Sequence, residues 1–252
     1  MRISLVLALG LAPIVTFGCS TRSDPAESVQ LPASEMAIPR ASEGSHGFEK
    51  TWSDMVQAVI AGVETELDCH FPVNDQQLAE LPESVYLEVL LLEQGVLTKS
   101  GVERIAGITS LRRLGLRDCC FGDEEATLVA SMPKLSVLNV PNSQLTNRGL
   151  QELGHSKSLI SLRVGTDAPV DQMGACLQGF RELRHLHLIG IEVDQVALEV
   201  LVQLPELQTL YLDDAGLSDE EVDWLVAHGE HLHIHLDQVH PDRMGSRGSN
   251  SH

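Results

Sequence analysis

Residues 182–188 read ELRHLHL and residues 206–212 read ELQTLYL. Both strings place Leu second, fifth and seventh. The pattern recurs upstream as YLEVLLL, SLRRLGL, KLSVLNV and SLISLRV. Its first Leu falls at 87, 111, 135, 159, 183 and 207, a constant step of 24. Counting that Leu as position one, positions four and six are also apolar, as in Leu186 and Leu188 or Leu210 and Leu212. One step further reaches Ile234 and Leu236 inside HLHIHL, with His231 in the first-Leu place. One step back reaches Val63, whose second half fits (Val73, Leu78, Leu81) while its strand half is degenerate.

The second half of each unit recurs too, as VNDQQL, LTKSGV, FGDEEA, LTNRGL, VDQVAL and LSDEEV. Its second residue is Asn74, Thr98, Gly122, Thr146, Asp194 or Ser218. All but Gly122 carry a side-chain oxygen that accepts from the unpaired amides of a helix start. Ser218 with Glu221 predicts a capping box. The unit containing VDQMGA runs one position late, at Val170, with an extra loop residue and one fewer helix residue. Alternation in LxL predicts a strand and the capped segment a helix. A strand and helix within 24 residues cannot bury an apolar side alone, but stacked copies can.

The consensus LxxLxLxxxxLTxxGLxxL resembles a leucine-rich repeat, of the helix-backed, ribonuclease-inhibitor-like or cysteine-containing type. The resemblance covers about 63–237 and implies an α/β solenoid, or horseshoe, with a parallel sheet on the concave face and helices on the convex face. The family's usual Asn or Cys, eight residues after the first Leu, is here Gly95, Cys119, Ser143, Asp167, Ile191 and Ala215. The side-chain ladder along that edge is therefore expected to be weak.

If positions four and six face the core, positions three, five and seven face out. They supply the expected binding surface: Arg113, Arg117, Asn139, Arg163, His185, His187, Tyr211, Asp213, His233 and His235, with Asp237 beyond. Arg113, Arg117 and Arg163 form a basic centre, because guanidinium presents a planar fork to carboxylate or phosphate. The bland alternative is pairing with nearby acids, or solvation. His185, His187, His233 and His235 form two His-x-His pairs, each on one strand face, as a Zn site requires. The pairs are two strands apart, roughly 10 Å. Solvated surface histidines are the competing expectation, so no metal or other cofactor is assigned. Histidines titrate near neutrality, so this patch is expected to gain charge in mildly acidic surroundings.

Lys and Arg total 17 against 36 Asp and Glu, for a net charge of −19. Such a chain is repelled by phosphate backbones, which argues against nucleic-acid partners. Aromatic residues make up only 4%, so the core must be aliphatic.

Residues 1–19 resemble an export signal: Arg2 precedes an apolar run from Ile3 to Phe17 that is too short to span a bilayer comfortably. Gly18-Cys19-Ser20 resembles a bacterial lipoprotein site, which makes Cys19 a lipidation candidate against ordinary cleavage. Residues 20–47, rich in Ser, Pro, Ala and Glu, read as a flexible linker. Residues 48–62 read as a capping helix with Thr51 or Ser53 as N-cap and Trp52, Met55, Val56, Val59, Ile60 and Val63 on one face. Residues 238–252 read as a disordered tail. Cys69, Cys119, Cys120 and Cys176 read as buried free thiols.

The resemblance implies a non-enzymatic module of the cell envelope, binding a protein or peptide on its concave face. The alternatives are a metal-binding protein or metal-dependent enzyme using the histidines, and a structural envelope component.

Overall fold

A computed structural model describes residues 50–237. The export signal, Cys19, the linker and the C-terminal tail lie outside these residues. The chain opens with α1 (Trp52–Ile60), β1 (Glu66–Asn74), α2 (Asp75–Leu78), β2 (Val89–Val96) and α3 (Lys99–Ala106). Next come β3 (Arg113–Leu116), α4 (Asp123–Ala130), β4 (Val137–Ser143), α5 (Asn147–Gly154) and β5 (Ser161–Thr166). It ends with α6 (Met173–Leu177), β6 (His185–Ile189), α7 (Gln195–Leu201), β7 (Thr209–Asp213), α8 (Asp219–His228) and β8 (His233–Leu236). The strands form one parallel sheet of eight in sequence order.

The 24-residue step is built into the register. Leu90 pairs with Leu114, Leu114 with Leu138, Leu138 with Leu162, and so on to Leu210 with Ile234. Just before each strand a backbone ladder repeats the step: Arg112 N–H donates to Glu88 O at 2.8 Å, Ser136 to Arg112 at 2.8 Å and Ile160 to Ser136 at 2.9 Å. The inward Leu residues and the buried helix residues, such as Val102, Ile105, Leu150, Leu153 and Leu198, share one core. Burying each such side chain stabilises by about 1.5–3 kcal/mol. The opposite, open face of the sheet carries positions three, five and seven. Where each strand turns away, Asp118 (φ 49°), Gly190 (φ 63°) and Asp214 (φ 53°) take left-handed backbone at the same place in their units. Short polar Asp tolerates that region better than most residues.

Asn74, Thr98, Thr146, Asp194 and Ser218 all cap their helices, and Ser218 with Glu221 completes the expected box. Gly122 has no side chain to offer, but its N–H donates to Glu125 at 3.0 Å. In the late unit, α6 is only five residues and starts from Gln172 without a side-chain cap. A link between helices adds to these caps. The Asp75 carboxylate accepts from the N–H and hydroxyl of Thr98. Asp123 accepts from Thr146 N–H at 2.9 Å, Thr146 Oγ1–H at 2.7 Å and Gly149 N–H at 3.0 Å. Gly149 leaves room for this, since a Cβ there would collide with Asp123 Oδ1.

Several sequence expectations need correction. Val63 is 77% exposed, and Ile60 faces solvent at the last turn of α1. The helix ends at Ile60, and Gly62 (φ 69°) turns the chain before Val63. The first strand half is not degenerate but offset. Leu67 pairs with Leu90 and Cys69 with Leu92, a step of 23, before an irregularity between Cys69 and Pro72. At the other end His231 is exposed and Leu232 is buried in its place. Along the ladder edge Ser143 pairs with Thr166 rather than Asp167. Ser143 Oγ donates to Gly165 O at 2.7 Å. Cys69, Cys119 and Cys176 are buried free thiols, whereas Cys120, pointing the other way from its neighbour, is exposed. Burial pushes the Cys69 and Cys119 thiols up to about 12.

Replacing Asp123 with Ala should lower the unfolding free energy by about 2 kcal/mol, because it strands three donors at once. Replacing Glu124, which meets Lys99 at the surface, should cost less than about 1 kcal/mol. Urea unfolding of the two variants measures the difference. In the native protein, iodoacetamide should modify Cys120 well before Cys69, Cys119 or Cys176, as read by peptide mass spectrometry; equal rates would contradict the burial pattern.

Candidate binding site on the open sheet face

Register places the expected surface residues in rows across the strands. One row runs Val89, Arg113, Val137, Ser161, His185, Thr209 and His233. The next runs Leu91, Gly115, Asn139, Arg163, His187, Tyr211 and His235. A third contains Arg117 and, in register, Gly165, Ile189 and Asp213. The offset first strand adds Glu66 beside Val89 and Asp68 beside Leu91. These two acids were missed because a strict 24-residue step overlooks a strand displaced by one residue.

A continuous polar network runs along the second row and crosses to the third at Asp213. Arg163 donates from Nε to His187 Nδ1 at 3.3 Å and from a terminal nitrogen to Asn139 Oδ1 at 3.3 Å. On its far side, His187 Nε2 lies 2.9 Å from Asp213 Oδ2. Guanidinium can only donate, so Nδ1 of His187 must be the bare acceptor. The proton then sits on Nε2 and is donated to Asp213. This neutral tautomer satisfies both neighbours, and a proton on Nδ1 would break the Arg163 contact. Burial, the largest influence, holds the His187 pKa below the ordinary histidine value; Arg163 acts in the same sense and Asp213 against it. His185 is also held low, by burial and then by Arg184. The sequence expectation that the histidine patch charges readily therefore fails for these two.

Tyr211 stands between the two histidine pairs. Its ring centroid is 5.3 Å from His187 and 4.4 Å from His235, with the latter stacked at 8°. His235 Nε2 and His233 Nε2 lie 2.8 Å apart, one donating and the other accepting. Among the described residues, no three His, Cys, Asp or Glu side chains gather in a form that could hold a metal ion. The four histidines sought for an ion are thus brought onto one face but not to one point. Ser161 and His187, although on this face, are buried by their neighbours.

Arg163 is half-buried, and both its hydrogen-bond partners are neutral. Burial lowers its pKa first, nearby Arg117 lowers it further, and Asp213 opposes them. Among the described residues neither Arg117 nor Arg163 comes within ion-pair distance of a carboxylate. By contrast Arg112, just before β3, meets Glu88 at 3.3 Å.

A separate cleft of about 1050 Å³ lies between α1 and β1, with Trp52, Glu64, Glu66, Asp68 and His70 on its walls. Lys50 already pairs with Glu64 at 2.5 Å and His70 with Glu93 at 3.1 Å. Among the described residues, the buried Nε1 of Trp52 finds no hydrogen-bond partner.

No protein-family model matches this chain, and no curated protein matches its sequence.

The lowered pKa of His187 has a defined consequence for stability. The unfolded chain takes up this proton near pH 6.5, before the folded chain does. Stability is therefore full above that pH and falls as pH drops through 6.5 toward the folded value, where the loss levels off. His185 acts in the same direction. The thermal midpoint should drop between pH 7.5 and 5.5, and less so in His187→Gln; an unchanged drop in that variant would contradict the assignment.

Proposed function

We propose that this chain is a leucine-rich-repeat solenoid that recognises a protein or peptide partner on the concave face of its sheet, without catalysis. In the same reading it is an exported protein of the cell envelope, with lipidation of Cys19 as one means of tethering. The observation that carries the binding role is the chain of Asn139, Arg163, His187 and Asp213, joined side chain to side chain across four adjacent strands. A chain of that kind, next to the Tyr211–His235 stack, is a rigid array of donors and flat rings on a face with no helix of its own. Side chains already held by neighbours lose little freedom on binding, which favours affinity. A fold alone does not assign function. What adds weight is that the polar side chains concentrate on the sheet face that the core does not use.

Site-specific photo-crosslinking in the native envelope tests this. A crosslinker at Asn139 or Thr209 should capture a discrete protein, while one at Val196 or Val226, exposed on helices, should not. Equal capture from both sides, or none from the open face, would remove the reading.

A further inference from the structure

We infer that the partner segment is acidic, and that Arg117 and Arg163 together hold one of its carboxylates. This inference rests on reading the open face as a partner surface, and it names the chemistry that surface takes.

Placement supports it first. Arg117 extends from the end of β3 and Arg163 from β5, two strands on, roughly 10 Å apart at the backbone. Both long side chains can converge on a group between them. The strand between offers Asn139, which is already engaged by Arg163, and then Pro141. Beyond Arg163 on its own strand stands Gly165, which has no side chain. Gly165 is required for a backbone reason, because a Cβ there would collide with the Pro141 carbonyl.

Charge supports it second. The protein carries 36 acidic residues against 17 Lys and Arg. Arg117 lies near enough to Arg163 to oppose its charge, and among the described residues neither comes within ion-pair distance of a carboxylate. Two like charges near each other, one half-buried, destabilise each other until an anion arrives. The fork of Arg163 is fixed by His187 and Asn139 before any ligand binds. A guanidinium held in one orientation suits a planar carboxylate.

The same net charge of −19 selects among anions. A polyphosphate chain or an anionic membrane meets repulsion over the whole molecule. A peptide carrying a few carboxylates meets the local field of the two arginines. Alternate side chains of an extended peptide point to one side, so a Glu every second residue presents one carboxylate row to the sheet.

The experiment is calorimetric titration of the full chain at constant ionic strength with two hexapeptides, blocked at both ends, of alternating Ser and Glu or Ser and Gln. The Glu peptide should bind and the Gln peptide should bind at least about tenfold more weakly. Arg117→Gln and Arg163→Gln should each weaken the Glu peptide by about tenfold or more. Among the described residues the Arg117 side chain makes no hydrogen bond or ion pair, so its variant separates ligand loss from misfolding. Equal binding of the two peptides, no binding of either at millimolar concentration, or unchanged binding in both variants would overturn the inference. So would displacement of the Glu peptide by inorganic phosphate at lower concentration, which would assign the site to a phosphate-bearing ligand. If crosslinks from Asn139 and Thr209 persist in both arginine variants, the open face remains a partner surface and only the carboxylate site fails.

Discussion

The structure depends on one constraint, the register that stacks each inward Leu pair on the next. A parallel strand pair displaced by one residue turns its apolar side chains to the wrong face. Here the displacement is prevented twice, by the buried pairs from Leu90 to Ile234 and by the backbone bonds that step through Glu88, Arg112, Ser136 and Ile160. With the core fixed, the outward side chains have no freedom to choose neighbours. Arg163 meets Asn139 and His187 because each lies 24 residues from it. The polar row is thus a by-product of the apolar one.

Much of this was legible from the spacing of Leu alone. Positions separated by 24 become lateral neighbours, so the sequence already names the row Asn139, Arg163, His187, Tyr211, His235. Diagonal contacts were not legible. Asp213 belongs to the next row and crosses to His187, a reach set by side-chain rotamers rather than by period. The array's ends escaped as well. Val63 fits the helical pattern only if the helix continues, and Gly62 stops it. Leu67 and Cys69 carry the first strand at a step of 23 because Pro72 and an irregular pairing absorb the difference. At the far end the buried place passes from His231 to Leu232.

The histidines show why a motif needs its neighbours. Two His-x-His pairs read as a metal site in isolation. In the sheet, Tyr211 occupies the strand between them, and His187 is committed to Arg163 and Asp213. The same arrangement keeps His187 neutral and gives the arginine a fixed direction. A residue chosen by sequence as a ligand becomes a support for another.

The aspartates at the helix starts have a wider consequence. Asp75, Asp123, Asp171 and Asp219 recur every 48 residues, two units apart. Asp75 fastens α2 to α3, and Asp123 fastens α4 to α5. Between α3 and α4 the side-chain tie is the exposed Lys99–Glu124 pair, a weak bond in water. Between α5 and α6, Asn147 ties the helices again, donating to Asp171 and accepting from the N–H of Gln172, so on the helix side the linkage is uneven along the sheet. In a nearest-neighbour chain such unevenness sets where local opening starts, with amide protons exchanging sooner at the weakly tied α3–α4 seam than at the α4–α5 junction.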